Sequence, residues 1–187
     1  MNQVNCEINR KLIKVNEGTT ILEACRANHI NIPSLCHMED CEVKGACRIC
    51  VVEVEGKKNC IPSCVQKVEE GMKIRTHSKR AIASRKMTLE LLLSNHSQDC
   101  LSCIRNQKCE LQNLAQELNV RQANQNKSKT EVHFDDASFG IVRDTSKCIL
   151  CGRCIDTCKN TQGLGILNYM DRGFNTKVGP VLNLNLN

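Results

Sequence analysis

Two segments, Ile32-Pro-Ser-Leu-Cys36 and Gly45-Ala-Cys-Arg-Ile-Cys-Val-Val-Glu-Val54, carry the reading of this chain. Cys47 and Cys50 bracket two residues and run straight into Val51-Val-Glu-Val54, a strand that ends in a turn at Gly56. Gly45 and Ala46 put small residues where the backbone must come close to whatever the sulfurs hold. Cys36 reaches in from before the pair and Cys64 from after it, giving Cys36-x10-Cys47-x2-Cys50-x13-Cys64. Four thiolates on such a loop suit the edge of a binuclear [2Fe–2S] cluster. The plant-type spacing is C-x4-C-x2-C…C. Cys41-x5-Cys47 comes close to it with one residue more, so Cys41 competes with Cys36 for the first position and Cys60 with Cys64 for the last. Zinc accepts the same four sulfurs.

Outward from this loop the pattern continues. The chain has 15 cysteines in 187 residues, and two further groups follow in order. His96-x3-Cys100-x2-Cys103-x5-Cys109 is a one-His, three-Cys set, which either zinc or a [4Fe–4S] cluster takes. On a cluster iron, a neutral imidazole in place of an anionic thiolate raises the potential, as it does in Rieske centres. The alternative for His96 is a capping residue after the preceding helix. Cys148-x2-Cys151-x2-Cys154-x3-Cys158 is the bacterial ferredoxin run, with Lys159 where Pro usually follows. In two-cluster ferredoxins the fourth cysteine of this run serves the other cluster. No cysteine lies beyond Cys158 in the sequence, so the run is short of ligands and the expectation is a truncated domain. Cys6 and Cys25 read as small hydrophobic packing residues. His29, His37, His77 and His133 lack any such context and read as structural.

Composition narrows the alternatives. The start, Met1-Asn-Gln-Val-Asn-Cys6, has no apolar stretch of a secretory signal, so the expected location is cytoplasmic, where thiols bind metal more often than they pair. Aromatic content is 2%, a thin supply for a core, which favours metal staples. No apolar run approaches the ~20 residues needed to span a bilayer. The formal charge of +6 counts neither thiolates nor clusters, and no nucleic-acid partner is read from it. Lys67, Lys73, Arg75, Lys79, Arg80, Arg85 and Lys86 gather as a solvated basic face or a docking patch for an acidic partner. There is no G-x-G-x-x-G and no nucleophile–base pair, so no catalytic site and no flavin or nicotinamide site is read within the chain.

The pattern of elements is α+β. Residues 3–15 alternate as a hairpin turning near Asn9-Arg10, Thr19-Thr20 caps a short helix from Ile21, and Ile61–Val65 and Met72–Ile74 add strands. Ser78–Asn95 turns helical, with Ile82, Met87, Leu89, Leu91, Leu92 and Leu93 as a loose apolar face. A second helix spans Cys109–Asn119 on Leu111, Leu114 and Leu118. The polar stretch from Arg121 is the best linker, and Leu182–Asn187 ends the chain in a period-2 pattern.

On these residues the chain resembles a known family. Ile32-Pro-Ser-Leu-Cys36 with Gly45–Val54 resembles the N-terminal [2Fe–2S] domain shared by iron-only ([FeFe]) hydrogenases and the large iron–sulfur subunit of NADH dehydrogenases (complex I). His96-Ser-Gln-Asp-Cys-Leu-Ser-Cys103 with Cys109-Glu-Leu-Gln112 is similar to their [4Fe–4S] motif of one His and three Cys. Asp144-Thr-Ser-Lys-Cys-Ile-Leu-Cys-Gly-Arg-Cys154 looks like the first half of their double-cluster ferredoxin domain. Asp171–Gly179 reads more like the multi-subunit NAD(P)-linked iron-only hydrogenases than like complex I.

The resemblance implies iron–sulfur over zinc. It also implies Cys36 rather than Cys41, and, because Val68-Glu-Glu-Gly-Met72 follows, Cys64 rather than Cys60. The fold it implies is a β-grasp plant-type [2Fe–2S] ferredoxin domain at 1–77, then a small, mostly helical His-ligated [4Fe–4S] domain at 78–120. A linker at 121–135 and an incomplete bacterial-ferredoxin-like domain at 136–187 follow. The cofactors implied are one [2Fe–2S], one His-ligated [4Fe–4S] and a further [4Fe–4S], with a second sharing Cys158 if the chain continues. The function implied is an electron relay between a flavin- or NAD(P)H-oxidising subunit, or ferredoxin, and a hydrogen-activating H-cluster domain within a hetero-oligomer. A relay subunit of an NADH or formate dehydrogenase is the alternative from the same chemistry, and a zinc-stabilised interaction protein the alternative from another.

Overall fold

The computed structural model describes residues 2–39, 41–97, 99–121, 133–180, 182 and 184. Most of the linker expected at 121–135, and most of the period-2 ending, lie outside the described residues.

The N-terminal unit is built on a hairpin. β1 (Gln3–Ile8) alternates so that Cys6 and Ile8 are buried, and β2 (Lys11–Asn16) returns antiparallel in full register, Cys6 opposite Ile13. The turn lies at Asn9 and Arg10, both at positive φ (51° and 70°), the mirror-image turn whose twist suits a two-residue hairpin. Asn9 tolerates that conformation and uses its side chain across the sheet: Nδ2 donates to Thr76 Oγ1 (2.8 Å), and Thr76 N–H donates to Asn9 Oδ1 (2.9 Å). α1 (Ile21–Ala27) starts at Thr20 with a capping box, Glu23 N–H to Thr20 Oγ1 at 3.2 Å and Thr20 N–H to Glu23 Oε2 at 2.8 Å.

β3 (Val51–Val54), β4 (Ile61–Pro62) and β5 (Met72–Arg75) complete a five-stranded sheet of order β2-β1-β5-β3-β4. β5 runs parallel to β1, and every other pairing is antiparallel. α1 lays Ile21, Leu22, Ala24 and Cys25 on Cys6, Ile8, Ile13, Val52, Val54 and Ile74, making one apolar core. Cys6 and Cys25 are therefore packing residues inside it, and burial pushes the Cys25 thiol up to about 12, keeping it protonated.

α2 (Lys79–Ser94), capped by Ser78 Oγ, leaves the sheet and leads to α3 (Glu110–Glu117). The buried stripe of α2 is Ala81, Arg85 and Leu89, at i, i+4 and i+8. Sequence reading placed Arg85 on the basic solvated face; the structure corrects this, and it exposes Met87 and Leu91 of the expected apolar face. The C-terminal unit is two short hairpins around the third cysteine group: β6 (Phe134–Asp135) with β7 (Arg143–Asp144), and β8 (Asn168–Met170) with β9 (Lys177–Gly179). Between them lie α4 (Arg153–Asp156) and a π-helical turn, Thr157–Thr161. A buried ion pair, Arg143–Asp135 at 3.4 Å, ties β7 to β6, and Arg143 Nη1 reaches Val178 O at 3.4 Å. Among the described residues no helix is long and apolar enough to cross a membrane.

Candidate iron–sulfur centres

The loop that carries Cys36, Cys47 and Cys50 is pinned at both ends by apolar anchors. Ile32 enters the sheet–helix core, while Leu35 and Ile49 enter a second core. Cys64 is positioned from the other side by α1. The first-turn N–H groups of Ile21 and Leu22 donate to Gln66 O (2.9 Å) and Ser63 O (3.0 Å), so a helix N-terminus satisfies its orphan donors on the segment that holds Cys64. Gly45 sits at φ +60°, and a Cβ there would lie 2.8 Å from Val65 Cγ2, so the loop touches that segment directly. Arg48 takes a left-handed φ of 55° between the two cysteines and tightens the turn.

The result brings four sulfurs together as two pairs. Cys47 N–H points at Cys36 Sγ (3.5 Å) and Leu35 N–H at Cys47 Sγ (3.4 Å); Cys50 Sγ and Cys64 Sγ are 3.4 Å apart. All four are buried. Within each pair one thiol is acidified. The bond to Cys36, helped by backbone N–H groups, holds the Cys47 thiol below its ordinary value, and the bond to Cys64 does the same for Cys50. Cys36 and Cys64 are pushed up, first by those same bonds and then by burial. Anionic sulfur, the form that ligates metal, is thus favoured inside a buried site. Cys41 and Cys60 are half-buried and enter none of these sulfur contacts among the described residues.

The second group follows the end of α2. His96 comes immediately after the cap residue Asn95, its N–H reaching Leu93 O at 3.3 Å. Its Nδ1 is buried without a hydrogen-bond partner. Burial first, and the Lys147 cation second, hold its pKa below the ordinary value, so the ring is neutral and can donate a lone pair to a metal. Cys100, Cys103 and Cys109 are half-buried on successive turns, Cys103 N–H to Cys100 O at 3.2 Å and Asn106 N–H to Cys103 O at 2.9 Å. Gln112 staples this loop, accepting from Gln107 N–H (2.9 Å) and donating to Asn106 Oδ1 (3.0 Å). Cys109 is the N-cap of α3, yet its side chain makes no capping bond.

In the third group, Asp144 caps the turn Thr145–Lys147 through Ser146 N–H (2.9 Å) and delivers Cys148. Leu150 and Gly152, at φ 55° and 75°, curl the chain so that Cys148, Cys151 and Cys154 stand within electrostatic reach of one another. Cys148 is half-buried and Cys154 exposed; loss of solvation leads in raising both thiols, with the neighbouring sulfurs adding to it. Cys158 falls in the π-helical turn, a form that recurs at functional sites, and is half-buried. Among the described residues, no set of three or more His, Cys, Asp or Glu is gathered tightly enough to hold a single metal ion.

The three groups are cross-linked by residues that sequence reading passed over. Lys44, in the first loop, bonds Gly152 O (3.0 Å), pairs with the buried Asp156 (2.8 Å) and lies 5.9 Å from the centre of the Tyr169 ring. Tyr169 in turn donates to Leu150 O at 3.1 Å. Arg153 pairs with Glu110 of α3 (2.8 Å) and reaches His37 O (3.4 Å). Ser97 N–H, one residue past His96, donates to Ser146 O at 2.9 Å. Below these polar links, the second core gathers Cys36 and Cys47 of the first group, Cys109 of the second and Cys151 of the third around Ile49, Leu89, Leu111 and Leu114.

Comparison with known proteins agrees with the motifs. Residues 1–79 match the 2Fe-2S iron-sulfur cluster binding domain, and residues 85–124 the NADH-ubiquinone oxidoreductase-G iron-sulfur binding region. The chain is 39% identical over 191 residues to the NADP-reducing hydrogenase subunit HndD of Solidesulfovibrio fructosivorans, spanning 100% of this chain and 33% of that protein. It is 32% identical over 181 residues to the NADH-ubiquinone oxidoreductase 75 kDa subunit of Reclinomonas americana, spanning 96% of this chain and 26% of that one. A crystal structure of NAD+-reducing [NiFe]-hydrogenase in the H2-reduced state superposes with a TM-score of 0.88 at 26% identity, over 95% of this chain and 75% of that one. The chain thus spans about a third or less of these sequence relatives. Over residues 1–79 the chain is thus similar to 2Fe-2S iron-sulfur cluster binding domains, over 85–124 to the NADH-ubiquinone oxidoreductase-G iron-sulfur binding region, and along its length to subunits of NADP-reducing hydrogenase and NADH-ubiquinone oxidoreductase.

Proposed function

We propose that this chain is an electron-relay module, with a β-grasp domain at 1–77, a His-ligated domain at 78–120 and a ferredoxin-like unit at 136–187. Cys36, Cys47, Cys50 and Cys64 would hold a [2Fe–2S] cluster. His96, Cys100, Cys103 and Cys109 would hold a [4Fe–4S] cluster, and Cys148, Cys151 and Cys154 most of a further one, with Cys158 facing a neighbouring cluster. The residues present fit those groups in their donor chemistry: acidified buried thiols at the first site, and a neutral imidazole with an unpartnered nitrogen at the second. Bound there, iron–sulfur clusters supply one-electron oxidation and reduction.

The observation that carries this reading is the shared core. Electron tunnelling falls off exponentially with distance, and one apolar cluster touches a cysteine from each of the three groups. The chain's own part is to bury the sulfurs of the first group, to keep His96 neutral, and to fix the spacing of the sites through Lys44 and Arg153. The electron source would be a flavin- or NAD(P)H-oxidising subunit or ferredoxin, and the acceptor a hydrogen-activating domain in the same hetero-oligomer. Similarity to NADH dehydrogenase subunits supports a second destination, a relay within such a dehydrogenase.

Iron and acid-labile sulfide content of the chain purified without oxygen tests the proposal. Clusters at all three groups give about ten irons per chain, one binuclear and two tetranuclear. About six irons would leave the third group empty and limit the relay to two centres. Stoichiometric zinc in a colourless protein would overturn it.

A further inference from the structure

Arg85 occupies the centre of the buried stripe of α2, with Ala81 one turn before it and Leu89 one turn after, and is 1% exposed. An apolar residue would complete that stripe at much lower desolvation cost, because a charge taken out of water is expensive unless it is paired. The guanidinium makes two good bonds, both from Nη2 to backbone carbonyls: Val51 O at 2.8 Å and Thr76 O at 2.8 Å. Its Nε is buried without a partner. Among the described residues no carboxylate forms an ion pair with it, whereas the half-buried Arg143 has Asp135.

What Arg85 does have beside it is the first cysteine group. Val51, whose carbonyl the guanidinium holds, is the residue directly after Cys50; burial pulls the Arg85 pKa below its ordinary value, and the Cys50 sulfur nearby works against that pull. We propose that Arg85 is the built-in counter-charge of the binuclear site formed by Cys36, Cys47, Cys50 and Cys64, and that it raises the reduction potential of that site. The inference rests on the relay reading above and names a positioning residue for its first centre. The physical case is short. The thiolate ligands are anionic, and a reduction step adds one more negative charge to the same low-dielectric interior. A fixed cation favours the reduced form more than the oxidised one. Arginine suits the task because it does not lose its proton, and burial keeps its field from being screened by salt. On this reading the counter-charge of Arg85 would be the cluster and its sulfurs in place of a carboxylate.

The test is an EPR-monitored redox titration of the binuclear signal in the full chain, wild type against Arg85→Gln and Arg85→Lys, with thermal unfolding measured alongside. Gln keeps donors for the Val51 and Thr76 carbonyls but removes the charge; Lys keeps the charge. The expected result is a tenfold or greater shift toward the oxidised form in Arg85→Gln, ~59 mV more negative for a one-electron couple, with Arg85→Lys close to wild type. Loss of the cluster in Arg85→Gln together with a wild-type potential in Arg85→Lys would support the same assignment, since charge is what separates the two. Equal potentials in all three, equal shifts in both variants, or loss of the cluster in both would overturn it and leave Arg85 a packing residue. A binuclear signal absent from the wild type would instead be a failure of the relay reading itself.

Discussion

Cys47 is surrounded by hydrogen-bond donors: the Leu35 N–H lies 3.4 Å from its sulfur, and the backbone at Cys36 and Ile49 adds further polarity of the same sign. Cys41, six positions earlier, enters none of these contacts among the described residues and is half-buried. Spacing alone could not separate Cys36 from Cys41, because ligand order along a loop says nothing about which side chain the loop folds inward; the structure sets Cys36 against Cys47. Replacement should follow that division. Cys47→Ser is expected to abolish the binuclear EPR signal, while Cys41→Ser and Cys60→Ser leave its intensity unchanged. His96 gives a second expectation. Its buried, unpartnered Nδ1 points to ligation through the ring, and exchanging a neutral ligand for an anionic one makes reduction harder. His96→Cys should retain iron and lower the potential of its centre by on the order of 100 mV, measured by the same kind of titration. A variant with unchanged potential would mean that His96 is not a ligand.

Elements whose signals are local were legible. The hairpin turn at Asn9-Arg10, the Thr20 cap, the helical stretch from Ser78 and the helix before Asn119 all rest on local residue patterns. The capping box of α1 therefore makes a clean prediction. Thr20→Ala should cost about 1 kcal/mol in urea unfolding near neutral pH. The Glu23 carboxyl, held below its usual range first by the Thr20 N–H, contributes stability that is present above the unfolded carboxylate value of about 4.3 and lost as pH falls through its lower folded value. Glu23→Gln should accordingly flatten that part of the stability–pH curve. Links between distant segments were not legible. Lys44 meets Asp156 and Gly152 across more than one hundred positions, and nothing in either local sequence announces the meeting. Arg85 misled for a related reason: it stands in a basic run whose Lys79 and Arg80 are exposed, but its neighbours in space are two strand-end carbonyls. Gly152 shows how tight these links are. It sits at φ +75°, and a Cβ there would collide with the Tyr169 hydroxyl and lie 2.7 Å from Lys44 Nζ. Gly152→Ala should cost about 1–3 kcal/mol of local strain and deplete iron at the third group, with the binuclear signal retained.

Across the whole molecule, two cores divide the labour. The first, between sheet and α1, holds the N-terminal unit together and contains no more of the ligand set than Cys50 and Cys64. The second is small, built on Ile49, Leu89, Leu111, Leu114 and Leu118, and its rim is made of candidate ligands from all three groups. A protein with 2% aromatic residues has little else to pack with, so the clusters would serve as core material as well as electron carriers. On the proposed reading the same arrangement would make the three sites one electrical unit, and that is the claim most open to direct attack. Low-temperature EPR of the chain, reduced stepwise, addresses it: paramagnetic centres held around one core must split or broaden each other's signals as they are reduced together. The expected result is a binuclear signal that appears first and then changes shape as tetranuclear signals grow in. Signals that simply add, each unchanged by the reduction of the others, would contradict the account.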